Sequence, residues 1–338
     1  MTLLLCATLG VPAAAAAQDS HYWTNQYGNE ARLMGGAVTG SSRDLSAVFY
    51  NPGRLALVAR PEFVISGNVF EFGWTTLQGE DEANKSTSSR FALSPSLLAG
   101  EIRAGFLGEH GRLAYSFLTR QLSDIRINEG NVGDREGTTG DISTQVDHRL
   151  SEYWAGFTYA NRIGDNLGVG VSMFVAPRSH RSSSSSTAFF AESGEALVSG
   201  SSNSYEYNQW SLLWKFGAGT SIDDWDVGLT VTTPQVRLFG SGKVSGTLVD
   251  IGTVGGNTIL ANDFQDGLKT KLKSPWSVGA GGSRAFGRNT LHLSVEWFAG
   301  LEPYKVMEAA PTTPELGYEG TLDLSVIDGR RSTFNFAL

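Results

Sequence analysis

The side chains best suited to move a proton or ligate a metal near neutral pH are five histidines: His21, His110, His148, His180 and His292. None stands in a ligand-spaced pair such as His-x-x-x-His, so they are expected as surface or interior polar residues, and no metal site is expected. Ser294 lies two residues from His292 on the same face of an alternating segment. A hydrolytic nucleophile needs a base within hydrogen-bond reach and a third group to orient that base. No Gly-x-Ser-x-Gly elbow accompanies the pair, so no catalytic residue is expected and the chain is not read as an enzyme. The stretch GAGGSRAFG (279–287) has the composition of a phosphate loop, but Arg284 occupies the position where Gly-x-Gly-x-x-Gly requires its third glycine. The acidic groups GEDE (79–82) and SIDDWD (221–226) match no calcium loop and read as solvated turn carboxylates. Cys6 is the single cysteine, and it falls in the first apolar run. After that run there is no thiol for a disulfide, a thiolate metal site or cysteine catalysis. No cofactor is expected.

The elements that would position these groups alternate with period two. LGVGVSMFV puts Leu167, Val169, Val171, Met173 and Val175 on one face and Gly168, Gly170, Ser172 and Phe174 on the other. WDVGLTV sets Trp225, Val227, Leu229 and Val231 against Asp226, Gly228 and Thr230, and LHLSVEW sets Leu291, Leu293, Val295 and Trp297 against His292, Ser294 and Glu296. Such segments form a sheet with one apolar face and one face of small and polar residues. The spacing gives about ten strands. Their connections alternate in length. Short ones are GEHG, NRIGDN, SIDD and FGRN, and long ones occupy 77–89, 125–144, 183–204, 241–268 and 303–330. An outer-membrane barrel has this rhythm of short periplasmic turns and long outer loops. Seven of the tryptophans, Trp74 to Trp297, lie in strand segments, several near the ends, where amphipathic rings favour the water–lipid boundary. The serine-rich stretch RSHRSSSSSTAFF is expected as a mobile outer loop, and 241–268 as a partly ordered loop folding toward the pore. The expected fold class is all-β: a transmembrane antiparallel β-barrel.

Composition agrees. Charged residues make up 18% of the chain, below the roughly 25% of ordinary soluble domains. The net charge of −8 and the lack of a basic run argue against nucleic acid as a partner. Residues 1–17 read as a cleaved signal peptide, an apolar run followed by small residues. No later run of about 18 apolar residues offers a transmembrane helix.

Residues 18–57 precede the first strand and carry Tyr22, Trp23, Tyr27, Phe49 and Tyr50, aromatic surface that is costly to leave in water. Their expected place is inside the lumen, as a hatch or plug, with 58–338 forming the barrel. Within this segment, LMGGAVTGSSRDLSAVFYNPGRLAL resembles the N-terminal hatch of the outer-membrane hydrophobic-compound transporters, the long-chain fatty acid and aromatic-hydrocarbon channel family. The matching positions are Gly35, Gly36, Ala37, Asp44, Ser46, Ala47, Asn51, Pro52 and Leu55. Gly53 and Arg54 stand where the family has Ala and Gly, and KSPWSVGAGGSRAF resembles a later family strand.

The resemblance implies a barrel of about fourteen strands. With ten in view, the chain is expected to be incomplete at its C-terminus. It also implies passive uptake of hydrophobic small molecules, fatty acids or aromatic and aliphatic hydrocarbons, through ligand capture, a hatch shift and luminal or lateral exit. The hatch and ligand residues expected are Phe49, Tyr50, Asn51, Pro52 and Asp44. The expected partners are outer-membrane lipid, lipopolysaccharide and the ligand, and the chain is expected as a monomer. A second reading comes from related barrels that serve as scaffold or shuttle subunits in protein secretion and surface attachment. A continuous apolar groove inside would favour transport, and a filled interior would favour the partner role.

Overall fold

The period-two segments form long antiparallel strands in the computed structural model, which describes residues 25–59, 63–78, 85–135, 138–192, 195–254, 257–317 and 320–338. The signal-peptide reading of 1–17, the residues His21, Tyr22 and Trp23, and the acidic group 79–82 fall outside these residues. The strands β1 (Phe63–Gln78), β2 (Lys85–Ile102), β3 (Gly111–Arg135), β4 (Thr138–Ile163), β5 (Leu167–Glu192) and β6 (Glu195–Ile222) follow one another in sheet order. Of the long stretches 125–144 and 183–204, expected as loops, the described residues are instead the far ends of the β3–β4 and β5–β6 strand pairs. The serine run is strand: Ser182 to Ser186 pair with Tyr205 to Ser201. A backbone ladder is indifferent to side-chain polarity, and a strand polar on both faces carries no alternation to be read.

At β6 the sheet forks. The lower half, Lys215–Ile222, pairs with β7 (Trp225–Thr232), and the upper half, Val198–Leu212, pairs with β8 (Val236–Val254). β8 continues to β9 (Asn257–Lys269), so the described residues of the glycine-rich 241–268 also belong to the sheet. β7 continues to β10 (Ser277–Phe286), β11 (Asn289–Phe298) and β14 (Thr333–Ala337). A separate ladder joins β12 (Leu301–Met307) to β13 (Val326–Arg330), within the expected loop 303–330. The described residues thus hold fourteen strands, four more than the spacing suggested. Among them, no ladder joins β1 to β14. No helix among them is long and apolar enough to cross a membrane.

The sheet buries its polar face and exposes its apolar one. Along β7, Trp225, Val227 and Leu229 are about half exposed while Asp226 and Thr230 are buried. Along β11, Leu291, Leu293 and Val295 point outward while His292, Ser294 and Glu296 are buried. Phe117, Phe157, Met173 and Phe216 extend the outward apolar surface, and Ser116, Thr158, Ser172 and Lys215 the inward polar one.

The inward face is covered by residues 25–59, which fold as helix α1 (Asn29–Leu33), helix α2 (Ala47–Tyr50) and a 3-10 turn over Pro52–Leu57. Gly35 and Gly36, with φ of 57° and 90°, let the chain reverse after α1. This one segment touches the first strand of the sheet order and the one before its last. Gly28 donates to Ser66 Oγ on β1 at 3.3 Å, and Thr39 donates to Ser294 Oγ on β11 at 3.1 Å. Strands so far apart in the sheet order meet one short segment only if the sheet curves between them. The main core joins Tyr27, Leu45, Val48, Phe49, Tyr50 and Leu55 of the segment to Leu97, Leu118, Trp154, Phe174 and Leu213 of the strands. A second core, around Tyr207, Val244, Leu272 and Met307, seats β12 against the upper sheet.

Candidate functional site

Segment and sheet meet over a floor of glycines. A Cβ on Gly168 would strike the Gly53 carbonyl, one on Gly170 the Pro52 carbonyl, and one on Gly217 the Asn51 side chain. A Cβ on Gly228 would strike the Thr39 carbonyl, and one on Gly281 would lie 2.9 Å from Thr39 Cβ. The small-residue parity read from the sequence is therefore the face on which the segment lies, backbone against backbone.

Asn51 is the centre of this contact. It is fully buried, and both amide hydrogens and its carbonyl oxygen are engaged. Nδ2 donates to the Thr39 carbonyl and to the Ala218 carbonyl of β6, each at 2.9 Å. Oδ1 accepts from Gly53 N at 3.0 Å, which starts the 3-10 turn. One side chain thus ties two loops of the segment to the wall. Pro52 wedges beside Gly217 and Gly170. Arg54 Nη2 reaches Asp226 Oδ1 on β7 at 3.2 Å, and Arg54 Nη1 donates to Ser221 Oγ and the Thr220 carbonyl. Arg43 meets the other Asp226 oxygen at 3.1 Å. Ser41 Oγ lies 2.9 Å from His292 Nδ1, but Ser41 is fully buried, so this pair anchors the segment and presents no nucleophile.

The aromatic cluster lies above. Phe49 packs edge-on against Tyr27 at 4.4 Å and Tyr50 at 5.2 Å, and tilts toward Trp154 at 5.9 Å. The Tyr50 hydroxyl accepts from Tyr27 N, and the Tyr27 hydroxyl donates to the Thr119 carbonyl. Burial pushes the Tyr27 phenol up to about 12 and raises Tyr50 as well.

Beyond Phe49 lies a cavity of about 50 Å³, room for one or two waters. Phe49, Trp154, Lys215, Arg120, Glu152 and Glu296 are among its walls. Lys215 Nζ sits 4.8 Å above the Phe49 ring and the Arg120 guanidinium 5.7 Å from the Trp154 ring. Glu152 accepts from Trp154 Nε1 at 2.7 Å and pairs with buried Arg178 at 2.7 Å, while Glu296 accepts from Ser277. Two cations over aromatic rings, flanked by two carboxylates already held by donors, suit a small anion with an apolar body.

Of the five residues expected at the site, Phe49 alone is among those lining this cavity. Tyr50 supports it from below, and Asn51 and Pro52 lock the segment to the wall. Asp44 accepts from Ser46 N at 2.8 Å within its own turn. Trp154, expected with the interfacial tryptophans, faces inward instead, because its parity on β4 is that of Glu152 and Leu150. Sequence reasoning missed Lys215, Arg54, Asp226 and the Glu152–Arg178 pair. The available signal was parity: Lys215 shares a face with Leu213 and Gly217, and Asp226 with Gly228. Among the described residues, no group of three or more His, Cys, Asp or Glu side chains is disposed to hold a metal ion. No protein-family model, curated protein or solved structure matches the chain.

Proposed function

We propose that this chain is the wall and internal plug of an outer-membrane β-barrel that takes up hydrophobic small molecules passively, long-chain fatty acids in particular. The observation that carries the reading is the inverted sheet: Val227, Leu229, Leu291, Leu293 and Phe216 outward, Asp226, Lys215, His292 and Glu296 inward. Facing water, a continuous apolar wall of this kind is an aggregation liability. Facing lipid, it is what a membrane strand requires, and the reading calls for closure of the sheet in the bilayer, since lipid forbids unpaired edges. Residues 25–59 act as the hatch. The cavity at Phe49 is the capture point, where Lys215 and Arg120 receive a carboxylate head and the rings receive the first methylenes. It is too small for a chain, so passage requires the segment to shift, and the Arg54–Asp226 pair is the contact that must yield. No energy source is needed.

The test is uptake by proteoliposomes of labelled fatty acid and of toluene, beside protein-free vesicles. Faster entry of fatty acid supports the reading. Equal rates in both vesicle types, or a polypeptide that stays monodisperse in buffer without detergent, would overturn it. The filled interior favours the second reading, a scaffold subunit that engages a protein on the long β3–β6 hairpins. Equal vesicle rates from a correctly inserted barrel would support that role.

A further inference from the structure

Above the Glu152–Arg178 pair, on the same face of β4, β5 and β6, four side chains converge that the uptake reading does not use: His148, His180, Tyr205 and Tyr207. The register explains the meeting. His180 lies opposite Tyr207, and Ser182, two positions on, lies between His148 and Tyr205. His180 Nε2 is 3.4 Å from His148 Nδ1 and 3.3 Å from the Tyr205 hydroxyl. The two imidazole planes cross at 80°, with centroids 4.8 Å apart. The other nitrogen of His180, Nδ1, lies 3.2 Å from the Tyr207 hydroxyl.

We infer that these residues form a transition-metal site, with His148 Nδ1, His180 Nε2 and the Tyr205 oxygen as ligands and water in the fourth position. A tetrahedral ion with bonds of about 2.0–2.1 Å separates its ligand atoms by roughly 3.3–3.4 Å, the spacing of His180 Nε2 from both His148 Nδ1 and the Tyr205 oxygen. Tyr207 supplies the support such sites use: it accepts the Nδ1 hydrogen of His180, which leaves the Nε2 lone pair directed at the ion. Two imidazoles and a phenol oxygen suit a borderline first-row divalent ion: the tetrahedral spacing fits Zn2+, and Cu2+, which binds such donors more tightly, serves as the spectroscopic probe. Binding displaces the Tyr205 proton to solvent and leaves a phenolate. All three donors are half-buried, which keeps them within reach of an ion. His148 and His180 are 32 residues apart, so only strand register brings them together.

The test uses full-length protein refolded in detergent without a polyhistidine tag and titrated with Cu2+. One equivalent is expected to bind, with an electron paramagnetic resonance signal coupled to two imidazole nitrogens and a phenolate-to-copper charge-transfer band. His180→Ala should abolish stoichiometric binding. Tyr205→Phe keeps the ring and should lose the charge-transfer band and weaken affinity, while the two-imidazole coupling remains. Tyr207→Phe should weaken affinity about tenfold. His110→Ala, at a distant turn, should change nothing. Two-imidazole coupling that persists in the His148→Ala/His180→Ala double variant would overturn the site, as would a wild type that binds Cu2+ without that coupling. The cluster would then be a hydrogen-bonded imidazole pair.

Discussion

Arg54 and Asp226 join the N-terminal segment to β7 through an ion pair of 3.2 Å, with both side chains largely withdrawn from water. Arg43 and Ser221 stay on Asp226 when Arg54 is removed, so the cost falls below the about 3–5 kcal/mol of a buried charge left wholly uncompensated. Arg54→Ala should still loosen residues 25–59 while the strands stay folded. Limited proteolysis of the refolded protein should cut near the segment at least tenfold faster than in the wild type, at about the equivalent of 1.4 kcal/mol or more. Unchanged cutting would show that the pair does not hold the segment.

The glycine floor makes a sharper case. Gly168→Ala sets a methyl against the Gly53 carbonyl, a backbone atom that cannot turn aside. Gly200→Ala meets nothing closer than 3.8 Å. The first change should lower the denaturation midpoint and expose the segment. The second should do neither. Equal midpoints for the two variants would contradict the close backbone approach.

An outward residue offers a direct test of the lipid face. Leu229→Arg should destabilise the protein by about 2–4 kcal/mol in bilayers if the residue lies near the midplane. An exposed site on a water-soluble protein would shift by no more than about 0.5 kcal/mol. Urea titration in vesicles distinguishes these outcomes.

Lys215 should discriminate between ligands. Lys215→Met removes the ammonium from above Phe49 and keeps the length of the side chain. Fatty acid uptake into proteoliposomes should fall severalfold while toluene uptake is unchanged. A parallel fall in both would mean that the variant damages the wall instead of the capture point.

Alkaline pH should loosen the segment through its phenols. Tyr27 ionises at 10.0 in the unfolded chain and at about 12 when folded, so between these values the folded state holds the extra proton. Its stabilising effect is complete below pH 10 and is lost as pH rises toward 12, a loss of about 2–3 kcal/mol. Tyr50 adds in the same direction. Tyr27→Phe should flatten the fall in denaturation midpoint over this range. A wild-type midpoint independent of pH there would refute the buried phenol.

Much of the wall was legible in the sequence. In Trp225–Val231 and Leu291–Trp297, one face is apolar and the other is not, and strand geometry turns that directly into a sheet. The serine run escaped because both of its faces are polar, leaving no period to detect. Within the site, Asn51–Pro52 stood out as a turn beside aromatics that water would not favour. Lys215, Asp226 and Arg178 did not, since a single charge in a strand becomes informative only when the inward parity is known. The meeting of His148 with His180 depends on how two hairpins align, which local sequence does not encode.

The fork at β6 has a structural corollary. Leu212 is the last residue of that strand laddered to β8, and Lys215 the first laddered to β7. Across the three-residue step between the two ladders the other edge of β6 stays paired with β5 without a break, and the ammonium above Phe49 sits just below the step. The sheet therefore divides on one side of β6 without breaking on the other, and both branches inherit their alignment from a single unbroken strand pair.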